Sequence, residues 1–184
     1  MSSTTPSSDL LYFLQKGLSK VQVDELARLI RADRKAMKQM VEYATMYEDT
    51  VGMKASWIMG AASVQENNCA HDHLPQIIDR LGVVQTMGIK RELIKTMMFS
   101  NVMDCENLGT LVDTLFVFLR SASEDISVSY NSMKLMNKIV KHIPELKEEF
   151  HDTLSHQMEY KSPTWRKCAQ KITRKNDENL SQYQ

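Results

Sequence analysis

The chain has 184 residues, 42% of them hydrophobic, with 23 basic side chains against 23 acidic ones. That is enough apolar material for one domain with a sizeable core, and it excludes a disordered polymer. The charge balance offers no basic excess to draw nucleic acid or an anionic membrane, and no apolar run approaches the ~20 residues that span a bilayer.

Only six glycines and four prolines punctuate the chain, and Leu, Met, Ala, Glu, Lys and Gln abound. These are helix formers, so the expected class is all-α. Cys69, Cys105 and Cys168 are odd in number and far apart. They are expected as reduced thiols of a cytoplasmic protein, not as a disulfide framework.

In chain order, residues 1–8 are polar, with neither a basic start nor an apolar run. They are expected as a disordered tail and not as a signal peptide. A short capping helix is predicted from Asp9 to Lys16, closed by Gly17. Val23, Leu26, Ala27 and Ile30 then follow the i, i+3, i+4, i+7 spacing of one helical face. Met37, Met40, Val41 and Ala44 repeat it, as do Ala55, Ile58, Met59 and Ala62.

The next stretch places Cys69, His71 and His73 within five residues. Zinc sites draw Cys and His from two separated pairs or from a helical i, i+4 spacing. A single tight cluster has no second half, so a turn is predicted and no metal or other cofactor. Asp72 is expected to cap a helix starting at His73, with Pro75 in its first turn. Leu74, Ile77, Ile78 and Leu81 form the stripe of that helix. Gly82 and Gly88 are expected in turns.

Ile94, Met97 and Met98 give a ragged stripe, and Asp104 is expected to cap the helix bearing Leu108, Leu111, Val112 and Leu115. Leu135, Met136, Ile139 and Val140 follow. Ile143, Leu146, Lys147 and Phe150 then match the template except at Lys147. Trp165, Cys168, Ala169 and Ile172 make the last stripe, which assigns Trp165 to the core, and Pro163 opens its helix. Residues 176–184 are expected as a second disordered tail.

One series of stripes starts at 37, 74, 108 and 143, at intervals of 37, 34 and 35 residues. A second series interleaves with it. A helix hairpin cannot enclose its own apolar face, so each must be completed by the next, which predicts a solenoid of helix pairs. The repeats fall at about 22–47, 53–82, 88–119 and 126–156, with a cap at 163–175, inside a single domain spanning 9–175.

The pattern resembles the HEAT/armadillo-like α-solenoid superfamily over nearly the whole chain. SEDISVSYNSMKLMNKIVKHIPEL (123–146) is similar to a HEAT-type unit, and KASWIMGAASV (54–64) to another first helix. Ser129 departs from the family, standing where such repeats often carry Arg. The resemblance implies a right-handed α-α superhelix of about four repeats with capping helices. It further implies a non-catalytic scaffold that binds macromolecules on a curved surface.

In such solenoids the second helix of each pair tends to line the concave side. That makes Lys35, Lys38, Gln39, Gln76, Arg80, Thr110, Thr114, Glu148, Glu149 and Asp152 the expected partner-binding residues, pointing off the core on a surface that runs from basic to acidic. A protein or peptide is the expected partner. Nucleic acid is the alternative, since some HEAT-like proteins are alkylpurine DNA glycosylases. Those need a basic inner groove with aromatics beside an acid, whereas repeat 4 is acidic and Trp57 and Trp165 lie on first helices. The one strongly basic stretch, 161–175, follows an acidic helix that is expected to compensate it. No nucleophile stands in a recognisable motif near His142, His151 or His156.

Overall fold

The computed structural model describes the backbone of residues 6–181 and the side chains of residues 10–174. Among the described residues there are ten α-helices and no strand: α1 Pro6–Gln15, α2 Lys20–Arg31, α3 Arg34–Met46, α4 Thr50–Gln65, α5 Leu74–Val83, α6 Met87–Met98, α7 Leu108–Arg120, α8 Ile126–Val140, α9 Lys147–Gln157 and α10 Pro163–Ser181. Single 3-10 turns occupy His71–His73, Val102–Asp104 and Pro144–Leu146. The chain forms two compact units, residues 1–111 and 112–184, divided within α7. Of the two expected tails, residues 1–5 and 182–184 lie outside the described residues. Residues 6–8 and 176–181 are helical backbone, continuing α1 and α10. Pro6 suits a first helical position, and NDENLS (176–181) holds no helix breaker.

In the first unit α4 is the central element, packed against α1, α2, α3 and α6. Its sequence explains this. The small residues of GMKASWIMGAAS let neighbours approach on every side, and ten positions from Val51 to Ser63 are buried. A Cβ at Gly52 would lie 2.0 Å from the Tyr47 carbonyl oxygen, and one at Gly60 would lie 2.7 Å from Glu92 Oε2. Buried hydroxyls along the α4–α6 contact turn back on their own helices: Ser63 to the Met59 carbonyl, Thr96 to that of Glu92 and Ser100 to that of Thr96. None is left without an acceptor. The Glu92 carboxylate, buried against Gly60, is held by Arg91 at 3.1 Å and Lys95 at 3.4 Å.

The predicted stripes of the first unit pack as read, except that Leu26, Met98 and Leu108 are only half-buried. Leu74, Ile77, Ile78 and Leu81 are fully buried, and so are Met40, Val41, Ala44, Ala55, Ile58, Met59 and Ala62. Each large side chain among them contributes about 1.5–3 kcal/mol of burial. Ser19, Asp33 and Asp49 cap α2, α3 and α4 with side-chain hydrogen bonds, Ser19 in a capping box with Gln22.

Several boundaries differ from the sequence reading. Asp72 does not cap a helix: its carboxylate lies 3.8 Å from Arg34, and α5 starts at Leu74 after a 3-10 turn that carries the chain in. Pro75 does sit in the first turn of α5. Asp104 likewise ends a 3-10 turn and accepts from Asn101 instead of capping α7. Gly82 and Gly88 lie inside α5 and α6. Gly17 follows α1 without a left-handed backbone. The carbonyls at the end of α1 are met instead by the Lys54 ammonium, which donates to Leu14 (2.8 Å) and to Lys16.

In the second unit α10 packs on α8 and α9. Trp165 is fully buried, and its indole N–H donates to Ser129 Oγ at 3.1 Å, both groups being buried. Ser129, the departure from the family pattern, is thus the acceptor that lets a Trp enter the core. The fourth stripe is shifted. Ile143 and Leu146 are half-buried in the approach to α9, and the residues that pack are Phe150, Thr153 and Leu154. Pro144 starts the 3-10 turn here, so α9 begins at Lys147 and its inward face starts at Phe150.

Candidate functional site

The second helices, α3, α5, α7 and α9, carry every residue expected to bind a partner. In the first unit most of the polar side chains between α3 and α5 are used on each other. Gln76 Nε2 donates to Thr45 Oγ1 at 2.9 Å. Arg80 pairs with Glu48 at 2.7 Å, and Glu48 also accepts from the Gln85 backbone N–H at 3.2 Å. Asn107, just before α7, donates to the Pro75 carbonyl and to Asp79, each at 3.0 Å. Gln76 and Arg80 are therefore seam residues that join α5 to the end of α3 and the loop after it. On α3, Lys35 and Lys38 are exposed, Lys38 is 4.0 Å from Glu42, and Gln39 donates to the Tyr43 hydroxyl at 2.9 Å. Thr110 is exposed and Thr114 half-buried on α7.

The second unit is different. Its α9 opens onto a groove of about 630 Å³ lined by Arg120, Glu145, Glu148, Glu149, Asp152, Thr153, His156 and Gln157. Three of the expected residues, Glu148, Glu149 and Asp152, meet here. Four carboxylates face one guanidinium. Arg120, in the last turn of α7, bonds Glu149 and stacks on the Phe116 ring at 4.7 Å. The end of α7 is capped from α9 and beyond: Gln157 Nε2 donates to the Arg120 carbonyl at 3.1 Å, and Lys161 Nζ to that of Ser121 at 2.7 Å. Burial pushes the Lys161 ammonium below the ordinary lysine value, against an opposing pull from Glu124. His156 Nδ1 bonds the Asp152 carbonyl at 2.7 Å, one turn back along α9.

The contrast has a register. Laying the α5 stripe (Leu74, Ile77, Ile78, Leu81) on that of α9 (Phe150, Thr153, Leu154, Gln157) puts Gln76 on Asp152 and Arg80 on His156. The positions that close the seam in α5 hold an acid and an imidazole in α9. Glu148 and Glu149 fall in the first turn of α9, where the positive end of the helix dipole favours them. That accounts for their cheap placement but not for Asp152, a turn further on.

Arg120, His156, Gln157 and Lys161 were not among the expected residues. The stripe placed at Ile143 hid the register that would have aligned His156 with Arg80, and Arg120 arrives from a different repeat.

The turn at Cys69–His73 ties two loops together. Asn68 takes a left-handed backbone (φ 64°), its N–H donates to the Phe99 carbonyl, and its Oδ1 accepts from the Asn101 N–H at 2.7 Å. Cys69 is a free thiol, pushed up by burial, with its sulfur 3.7 Å from Ser63 Oγ. Among the described residues no three His, Cys, Asp or Glu side chains converge as a metal ion would require. No described helix is long and apolar enough to cross a membrane.

The basic stretch of α10 is not compensated by α9 in the way expected. Arg166, Lys167, Lys171 and Arg174 are exposed and make no ion pair with a described residue. The reason is rotational: the face of α10 that meets the unit is the one carrying Trp165, Ala169 and Ile172.

A family model described as a HEAT repeat domain matches residues 12–176. Searches of curated proteins and of solved structures returned no match.

Proposed function

Since the chain belongs to the HEAT repeat family, we propose that it is a non-catalytic interaction scaffold in the cytoplasm, which takes a polypeptide on its concave, second-helix face. One observation supports this most: the α9 groove stays open at the positions where α5 closes its seam, and four carboxylates line it. Such a groove suits a lysine- or arginine-bearing segment. Gln157 Oε1, buried without a partner, adds an acceptor for a cationic head. Lys35 and Lys38 on α3 suit acidic groups. A nucleic-acid duplex meets like charge at α9, which favours a polypeptide.

The test is titration of a labelled lysine- and arginine-rich peptide followed by anisotropy, with an acidic peptide as control. Binding of the basic peptide is expected to weaken at least tenfold in Glu148→Lys/Glu149→Lys. Most of the loss should be in association rate and should shrink once salt screens charges over ~8 Å. Equal binding of both peptides, or tight duplex binding at physiological salt with a steep salt slope, rejects the reading.

A further inference from the structure

The outer face of α10 is a charged feature that the proposed function leaves unused. At 100° per residue, Lys167, Lys171 and Arg174 lie opposite the buried Trp165, Ala169 and Ile172, and Arg166 flanks them. Lys167 and Lys171 are spaced i, i+4, and Lys171 and Arg174 i, i+3. Like charges at these spacings repel along a helix. From Pro163 to Arg174 the helix carries no acid, and no described acid of α9 pairs with them. The same compact unit carries the α9 groove with Glu145, Glu148, Glu149 and Asp152, all exposed, where Arg120 bonds Glu149.

We propose that two copies of this chain pair through residues 112–184, the basic face of α10 from each copy seated in the α9 groove of the other. The inference rests on the reading above, that the groove takes a basic polypeptide, and names that polypeptide. Two patches of opposite charge on one unit are complementary to those of a second copy related by a two-fold axis: each acid face meets a basic face, and the second contact follows from the first. With Glu149 held by Arg120, the carboxylates of Glu145, Glu148 and Asp152 remain for the cations of α10. The chain's formal net charge of zero sets no long-range repulsion between copies. A duplex would fit α10 but not the acidic groove, whereas a second copy uses both.

Light scattering and sedimentation of the full chain at low (about 0.05 M) and high (about 0.5 M) salt test this. A dimer is expected at low salt and at least tenfold weaker pairing at high salt. Glu148→Lys/Glu149→Lys and Lys167→Glu/Lys171→Glu should each be folded by circular dichroism and monomeric. An equimolar mixture of the two should recover the dimer, because both contacts are then between opposite charges. A wild-type monomer at low salt, a dimer that survives either reversal, or a mixture that stays monomeric overturns the proposal. So does a monomer that binds duplex DNA and loses it in Lys167→Glu/Lys171→Glu. The basic peptide separates this inference from the reading beneath it. A monomeric chain that binds the peptide keeps the groove and loses the self-pairing. A monomeric chain that binds none loses both.

Discussion

The seam between α3 and α5 and the groove between α7 and α9 are built on the same template and end in opposite states. In the first, Gln76 and Arg80 reach back to Thr45 and Glu48 and fill the gap. In the second, the matching positions hold Asp152 and His156. Neither of these reaches α7, whose last turn is held instead by Glu149 and Gln157 from the two ends of α9. Two residues out of a stripe-bearing helix therefore decide whether a repeat boundary is structural or open. The apolar face makes the solenoid, and the polar residues beside it choose what each boundary does.

The largest effects should be the same in both places, because the core stripe is common to both. Ile77→Asp and Phe150→Asp each put an unpaired charge where the side chain is fully buried. Each should cost roughly 4 kcal/mol or more in denaturant unfolding. A variant as stable as the parent at either position refutes the register on which the comparison rests.

Transplanting the seam is the sharper experiment. Asp152→Gln/His156→Arg gives α9 the pair that α5 carries, removes one acid and adds a cation. Binding of a basic peptide should fall about tenfold, ~1.4 kcal/mol, with stability unchanged or slightly raised. Undiminished binding would show that the acids at the start of α9 suffice and that the open positions are incidental.

Opening the closed seam should cost less. Gln76→Ala leaves the Thr45 hydroxyl, which keeps its bond to the Val41 carbonyl at 2.8 Å, so about 1 kcal/mol is expected. Arg80→Ala should cost no more than ~1 kcal/mol, because Glu48 is over a third exposed and water replaces part of the pair. The equivalent Asp152→Ala should leave stability within ~0.5 kcal/mol. Similar losses at both boundaries would erase the distinction drawn between them.

The helices were legible because burial writes itself as spacing. The stripe from Leu74 to Leu81 is fully buried, as the i, i+3, i+4, i+7 pattern requires. The α9 register was misplaced because Ile143 and Leu146 are apolar and correctly spaced, yet both lie before the helix, Ile143 just ahead of the 3-10 turn that Pro144 starts and Leu146 at its end. Asp72 and Asp104 look like caps for the same reason: a short turn intervenes between each and its helix. Of the site, the acids of α9 could be read from one helix. Arg120, Gln157 and Lys161 could not, because their roles are set by the end of α7 meeting α9 and the residues after it. That meeting depends on a register which the sequence alone displaced by seven residues, about two turns.

The last variants test what holds the loops of the first unit. His71 and His73 stand in the turn between α4 and α5, where the tie to the next loop is made by Asn68. Its Oδ1 accepts from the Asn101 N–H, and its own N–H reaches the Phe99 carbonyl. Asn also tolerates the left-handed backbone that this position adopts. Asn68→Ala loses the side-chain acceptor and strains the backbone, so about 1–2 kcal/mol is expected. In contrast, His71 Nδ1 is buried without a partner and His73 makes no capping bond. His71→Ala/His73→Ala should stay within ~0.5 kcal/mol of the parent in thermal or denaturant unfolding. Stoichiometric zinc in untagged protein, lost in the double variant together with stability, would reverse this assignment and make the turn a metal centre.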